Sequence, residues 1–137
     1  MVRINANEIS EHDQLVTMMA KYFKQLGYTN IKADIPGWPK PDYIYWTNQP
    51  NNRFYPDLTC NDNDRREIIL EAETCQTLND QHTKEQFEIF RAHANKVGGR
   101  FEVVVPRMCA GRDTTQLIRE IASRWRINLD NVWIPST

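Results

Sequence analysis

The chain has 137 residues, of which 40% are apolar and 26% charged, and a net charge of -1 at pH 7. That length suits one domain with a core of its own, and no apolar run approaches the roughly 20 residues that a membrane-spanning helix needs. The opening segment Met1-Val-Arg-Ile-Asn5 lacks the apolar stretch of a signal peptide, so a soluble cytoplasmic protein is expected.

Taken in order, Asn7 to Leu26 has the spacing of an amphipathic helix, with Ser10 or Asn7 as cap and Gly27 as its stop. Leu15, Met18, Met19, Tyr22 and Leu26 form its expected apolar face. Four residues back from Leu15 stands Glu11. It either lies near water in the first turn, favouring the helix dipole, or points at acids elsewhere in the chain. Tyr28 to Ile35 reads as a strand, and Pro36-Gly-Trp-Pro-Lys-Pro41 as a stiff loop. Asp42 to Trp46 is a further short strand or extended segment. Six aromatic residues between Trp38 and Tyr55 suit either base stacking or the packing of a core or dimer face.

Tyr55 to Thr59 and Glu67 to Thr74 read as two strands joined by the polar turn Asn61-Asp-Asn-Asp64. Alternation along the second puts Glu71 and Glu73 on one face, with Ile68, Leu70 and Ala72 pointing the other way into a core. Asp57 on the neighbouring strand makes a third acid at the same spot. Like charges are costly to cluster without a neutralising cation. A hard, oxygen-seeking ion such as magnesium is the expected partner. The bland alternative is that Arg65 or Arg66 satisfies the acids.

His82 to Val97 has helical spacing and stops at Gly98-Gly99; Phe101 to Pro106 reads as an interior strand covered on both faces; Asp113 to Arg124 is a further helix and Asn131 to Pro135 a last strand. The order predicts an α/β sandwich with a mixed central sheet. Cys60, Cys75 and Cys109 are odd in number and widely spaced, so three reduced side chains are expected, with neither a disulfide framework nor a zinc site. From Arg91 onward eight Lys and Arg face four Asp and Glu, giving +4 there and -5 in the first ninety residues. This asymmetry suits a metal beside a phosphate-binding surface, and equally a solvated face with no partner.

Pro56-Asp57 followed by Glu71-Ala72-Glu73, in this order of elements, resembles the PD-(D/E)xK nuclease superfamily. The resemblance covers roughly Asn7 to Pro106 and implies a restriction-endonuclease-like three-layer α/β sandwich with core order αβββαβ. It implies Mg2+, with Mn2+ able to substitute, held by Asp57 and Glu71, and with Glu73 as a further ligand or general base. Glu11 matches the first-helix glutamate of some branches. Glu73 stands where the family has lysine; Lys84 is a candidate to reach in from the next helix, and Gln86 and His82 are candidate polar residues near the site. The expected activity is hydrolysis of DNA phosphodiester bonds by a homodimer. The alternative is a degenerate nuclease fold that binds nucleic acid or a protein without cutting.

Overall fold

The computed structural model describes residues 10–136. Ser10 begins the first helix, α1 (Glu11–Gln25), by accepting a hydrogen bond from the Asp13 N–H on its Oγ at 3.1 Å. Asn7, the other candidate cap, lies outside the described residues. The buried face of α1 is Leu15, Val16, Met19, Ala20 and Phe23, whereas Tyr22 and Leu26 are exposed. The face is therefore turned from the expected one, and small Val16 and Ala20 let the helix lie close on the sheet. After it come β1 (Thr29–Ala33), β2 (Leu58–Asn61) and β3 (Glu67–Ala72). Between β1 and β2 the chain is irregular, and the expected strand at Asp42 to Trp46 is reduced to one bridge between Ile44 and Phe54.

Next is α2 (Gln81–Val97), capped by Asp80, whose carboxylate accepts from the Thr83 N–H, and closed by Gly98 in the left-handed conformation. At Gly99 a side chain would strike the Glu67 carbonyl, so only glycine lets β4 (Arg100–Val104) enter beside β3. A small hairpin, β5 (Met108–Cys109) with β6 (Arg112–Asp113), precedes α3 (Thr114–Trp125) and the final strand β7 (Asn131–Trp133).

The sheet runs β1-β2-β3-β4-β7. The first three strands pair antiparallel and the last three parallel, with α2 and α3 as the two crossovers. One core joins Ile68, Leu70 and Ala72 to Leu15, Met19 and Phe23 of α1. The other joins Ile69, Phe101 and Val103 to Phe87 and Phe90 of α2 and Ile118 and Ile121 of α3. The sheet is thus covered by α1 on one face and by α2 and α3 on the other, and β3 and β4 are buried on both. Among the described residues no helix is long and apolar enough to cross a membrane.

A further expectation is corrected. Cys75 and Cys109 form a disulfide, with their Cα atoms 5.6 Å apart, and only Cys60 stays a buried free thiol. The two cysteines are 34 residues apart in the chain. Their proximity is made by the β5–β6 hairpin folding back on the loop after β3, a hairpin too short to register in the hydrophobic pattern.

Candidate active site

Leu58 of β2 faces Leu70 of β3, and one step beyond that pair the two chains continue to Asp57 and Glu71. Asp57 is fixed there because its Oδ2 accepts the Ala72 N–H at 2.8 Å. Its Oδ1 lies 3.1 Å from Nε2 of His12 in the first turn of α1. Glu73 follows the end of β3, held by a hydrogen bond from its N–H to the Val104 carbonyl. Its Oε2 accepts from the Thr77 hydroxyl at 2.6 Å, and Thr77 Oγ1 in turn accepts from the Thr74 N–H. Thr83 on α2 donates to the Thr77 carbonyl at 2.7 Å, which ties the acid-bearing loop to the helix.

These groups line one cleft of about 180 Å³, together with Asp80, His82 and Gln86. Asp57, Glu71 and Glu73 come together as the sequence pattern predicts, and Gln86 and His82 reach the same cleft. Glu11 and Lys84 do not line it, and Glu11 is exposed to solvent. Neither arginine proposed to satisfy the acids does so: Arg66 pairs with Asp62 and Asp64 at the β2–β3 turn, and Arg65 makes no ion pair among the described residues. His12 was not anticipated. Its signal lay in the phase of α1: Leu15 and Val16 are both buried, and the row through Val16, four residues after His12, leads to the cleft, whereas the row through Leu15 leads back to the exposed Glu11.

The protonation pattern follows from burial and charge. Glu71 is 1% exposed, and burial first, then the neighbouring Asp57 and Glu73 carboxylates, push it well above the usual range, which favours its protonated form. Burial pushes Asp57 upward too, but hydrogen bonds with Glu71 and His12 outweigh this and hold it below the ordinary value. The hydrogen bond to Asp57 is likewise the main cause that raises His12 to about 9, so it is an imidazolium at neutral pH. Burial raises Glu73 to about 7 against the opposing hydrogen bond from Thr77. One proton on Glu71 and one charge on His12 thereby offset the clustered acids.

The donor set suits a hard divalent cation, since Asp57, Glu71 and Glu73 offer only carboxylate oxygens. Glu71 Oε1 is moreover buried without a hydrogen-bond partner. The side chains do not yet form a cage: among the described residues no group of three or more His, Cys, Asp or Glu converges closely enough to hold an ion. The oxygens of Asp57 are instead engaged by Ala72 and His12. In comparison with known proteins, the chain matches no family model, and it is significantly similar to no curated protein and to no solved structure.

Proposed function

We propose that the chain is a metal-dependent endonuclease that hydrolyses phosphodiester bonds of DNA, built as a PD-(D/E)xK-like, restriction-endonuclease-like fold with Glu73 in place of the motif lysine. The observation that carries this reading is the meeting of Asp57, Glu71 and Glu73 in one cleft with Glu71 Oε1 buried and unpartnered. A buried polar atom without a partner costs about 1–3 kcal/mol. A ligand in the cleft would remove that penalty at Glu71; the other buried unpartnered atoms, Arg91 Nε and Thr114 Oγ1, lie outside the cleft.

Magnesium, or manganese in its place, would be held by Asp57, Glu71 and Glu73; when bound, such an ion supplies neutralising charge on the phosphodiester and makes water a better nucleophile. Glu73, held by the Thr77 hydroxyl and raised to about 7, would take the proton from the attacking water. His12 brings a positive charge to the cleft that otherwise lacks the motif's lysine. Gln86 and Thr83 offer neutral hydrogen-bonding groups on the wall supplied by α2. The excess of arginine after residue 90 serves the phosphate backbone. A homodimer completes the reading, acting in the cytoplasm with the Cys75–Cys109 pair reduced, since a persisting bond belongs to an oxidising compartment.

The experiment is cleavage of plasmid and of short DNA with magnesium or manganese by the wild type and by Asp57→Ala. Cutting that depends on the ion and is lost in the variant supports the reading, and cutting that persists unchanged removes this site. The engagement of Asp57 by His12 and the Ala72 N–H favours the second reading, a nuclease fold that binds nucleic acid without cutting. Tight manganese binding that disappears in Glu71→Gln would count against it.

A further inference from the structure

The bridge between Ile44 and Phe54 is closed by both of its backbone hydrogen bonds, at 2.7 and 2.8 Å. Phe54 is buried in the core beneath α2, and Ile44 packs beside it. Successive residues of an extended chain face opposite ways. With Ile44 and Phe54 turned inward, Tyr43, Tyr45, Arg53 and Tyr55 are turned outward together. Their exposure agrees: Tyr43, Tyr45 and Tyr55 are 40%, 48% and 52% accessible. The rings nonetheless touch one another, Tyr43 lying 5.8 Å from Tyr45 and 5.9 Å from Tyr55 between centroids. The Arg53 guanidinium sits 4.3 Å above the Tyr43 ring.

Three accessible phenol rings and a guanidinium on one two-stranded bridge are more than the core behind them requires, because Phe54 and Ile44 already anchor it. Arg53 makes no ion pair among the described residues, so its charge is available to an anion. Tyr55 is joined to Asp57 through Pro56 alone, a span of about 7 Å at full extension. The aromatic surface and the acidic cleft are therefore neighbours along the chain, at about the reach of one nucleotide.

We propose that Tyr43, Tyr45, Tyr55 and Arg53 form a stacking platform for unpaired nucleobases of the strand whose phosphate enters the acidic cleft. Stacking on aromatic rings tolerates any base, since every base has a π-face, and arginine adds a cation beside the backbone. Paired bases inside a duplex keep their faces stacked on each other and have none to offer. The substrate class is then single-stranded or locally opened nucleic acid, and intact duplex is disfavoured. This rests on the nucleic-acid reading given above, but not on cleavage.

The test is fluorescence anisotropy in EDTA with a labelled oligo-dT, its oligo-rU counterpart, and a duplex of the same length. Each is titrated with the wild type, Tyr43→Ala, Tyr55→Ala and Tyr43→Phe, and melting curves check that each variant folds. The single strand should bind more tightly than the duplex. Each alanine variant should lose about five- to hundredfold in affinity for the single strand, while the phenylalanine variant keeps most of it. The oligo-rU arm tells whether the sugar matters and leaves the platform standing either way. Absence of single-strand binding, equal binding of single strand and duplex, or unchanged affinity in both alanine variants would overturn the proposal. So would a Tyr43→Ala protein whose mass in solution falls from dimer to monomer at unchanged affinity, since the patch would then be a protein interface. Single strands bound through the tyrosines but never cut with magnesium or manganese would remove the nuclease reading and leave the platform. Cutting that needs Asp57 beside unaffected binding in the alanine variants would do the reverse.

Discussion

His12 Nε2 stands 3.1 Å from Asp57 Oδ1, so an imidazolium on the first helix grips the carboxylate that the sheet edge presents to the cleft. The pair joins α1 to the β2–β3 end of the sheet at the point where three acids meet.

The pair makes stability depend on pH in a stated direction. His12 rises from 6.5 to about 9 on folding, chiefly through its hydrogen bond to Asp57. A base raised on folding contributes its full stabilisation below the unfolded value and loses it as pH climbs through the folded one. The metal-free wild type should therefore melt above His12→Gln at pH 6.5 and below, and the gap should close as pH passes about 9. A ring-proton titration by NMR gives the same midpoint directly. A midpoint near 6.5 would show that the pair is not formed in solution.

Glu71→Gln separates a ligand from a structural acid. Glu71 is fully buried and raised well above 4.5, which favours the protonated form, and that form is close in shape to glutamine. An acid raised on folding lowers stability as pH rises above its unfolded value, because the unfolded chain releases the proton that the folded chain keeps. Below that value the variant should match the wild type within about 1 kcal/mol. It should then gain on it as pH increases. Manganese binding measured by calorimetry should nevertheless fall by at least about tenfold, because an amide is a poorer ligand than a carboxylate for a hard cation. Equal binding by both proteins would place any metal elsewhere.

Much of this site was legible before the fold was known. Pro56-Asp57 and Glu71-Ala72-Glu73 lie on segments whose alternation and turn residues mark them as neighbouring strands, and strand pairing carries acids together with little freedom. Helix phase is a weaker guide. Leu15 and Met19 belong to the buried face on either reading, and only packing against Ile68 and Leu70 decides that Val16, Ala20 and Phe23 join them rather than Met18, Tyr22 and Leu26. A shift of one residue exchanged Glu11 for His12. The Cys75–Cys109 contact was hidden for another reason, since β5 and β6 have two residues each and no periodicity can be read from so few.

The disulfide pins the loop that carries Glu73 and Thr77 to the hairpin before α3. Closing a loop over 34 residues stabilises the fold by roughly 3–4 kcal/mol in the chain-entropy account. Reduction, or Cys75→Ser, should lower the melting temperature on the order of 10 °C. Cys60 should not react in the folded protein, because burial raises its thiol to about 12. A thiol assay of the native oxidised protein should therefore find almost none, and after denaturation one per chain. Three thiols after denaturation without reductant would mean that the bond is open.

Glu73 offers the most direct reading of the cleft. Burial raises it to about 7, and the hydroxyl of Thr77 at 2.6 Å works against that rise by stabilising the ionised form. In metal-free protein its side-chain carboxyl carbon should titrate near 7 by NMR, and Thr77→Val should move the midpoint higher because the opposing donor is gone. Stability should decline as pH rises from 4.5 to about 7, in the sense of an acid raised on folding, and Glu73→Gln should make that decline shallower while leaving the part that Glu71 contributes. A divalent cation within reach of this oxygen reverses the local balance and favours the carboxylate. Manganese broadens nearby resonances, so magnesium is the ion to add, and it should pull the midpoint well below 7 if Glu73 helps to hold it. A midpoint that ignores magnesium while Glu71→Gln abolishes binding would leave Glu73 free of the metal and restrict it to taking the proton from water.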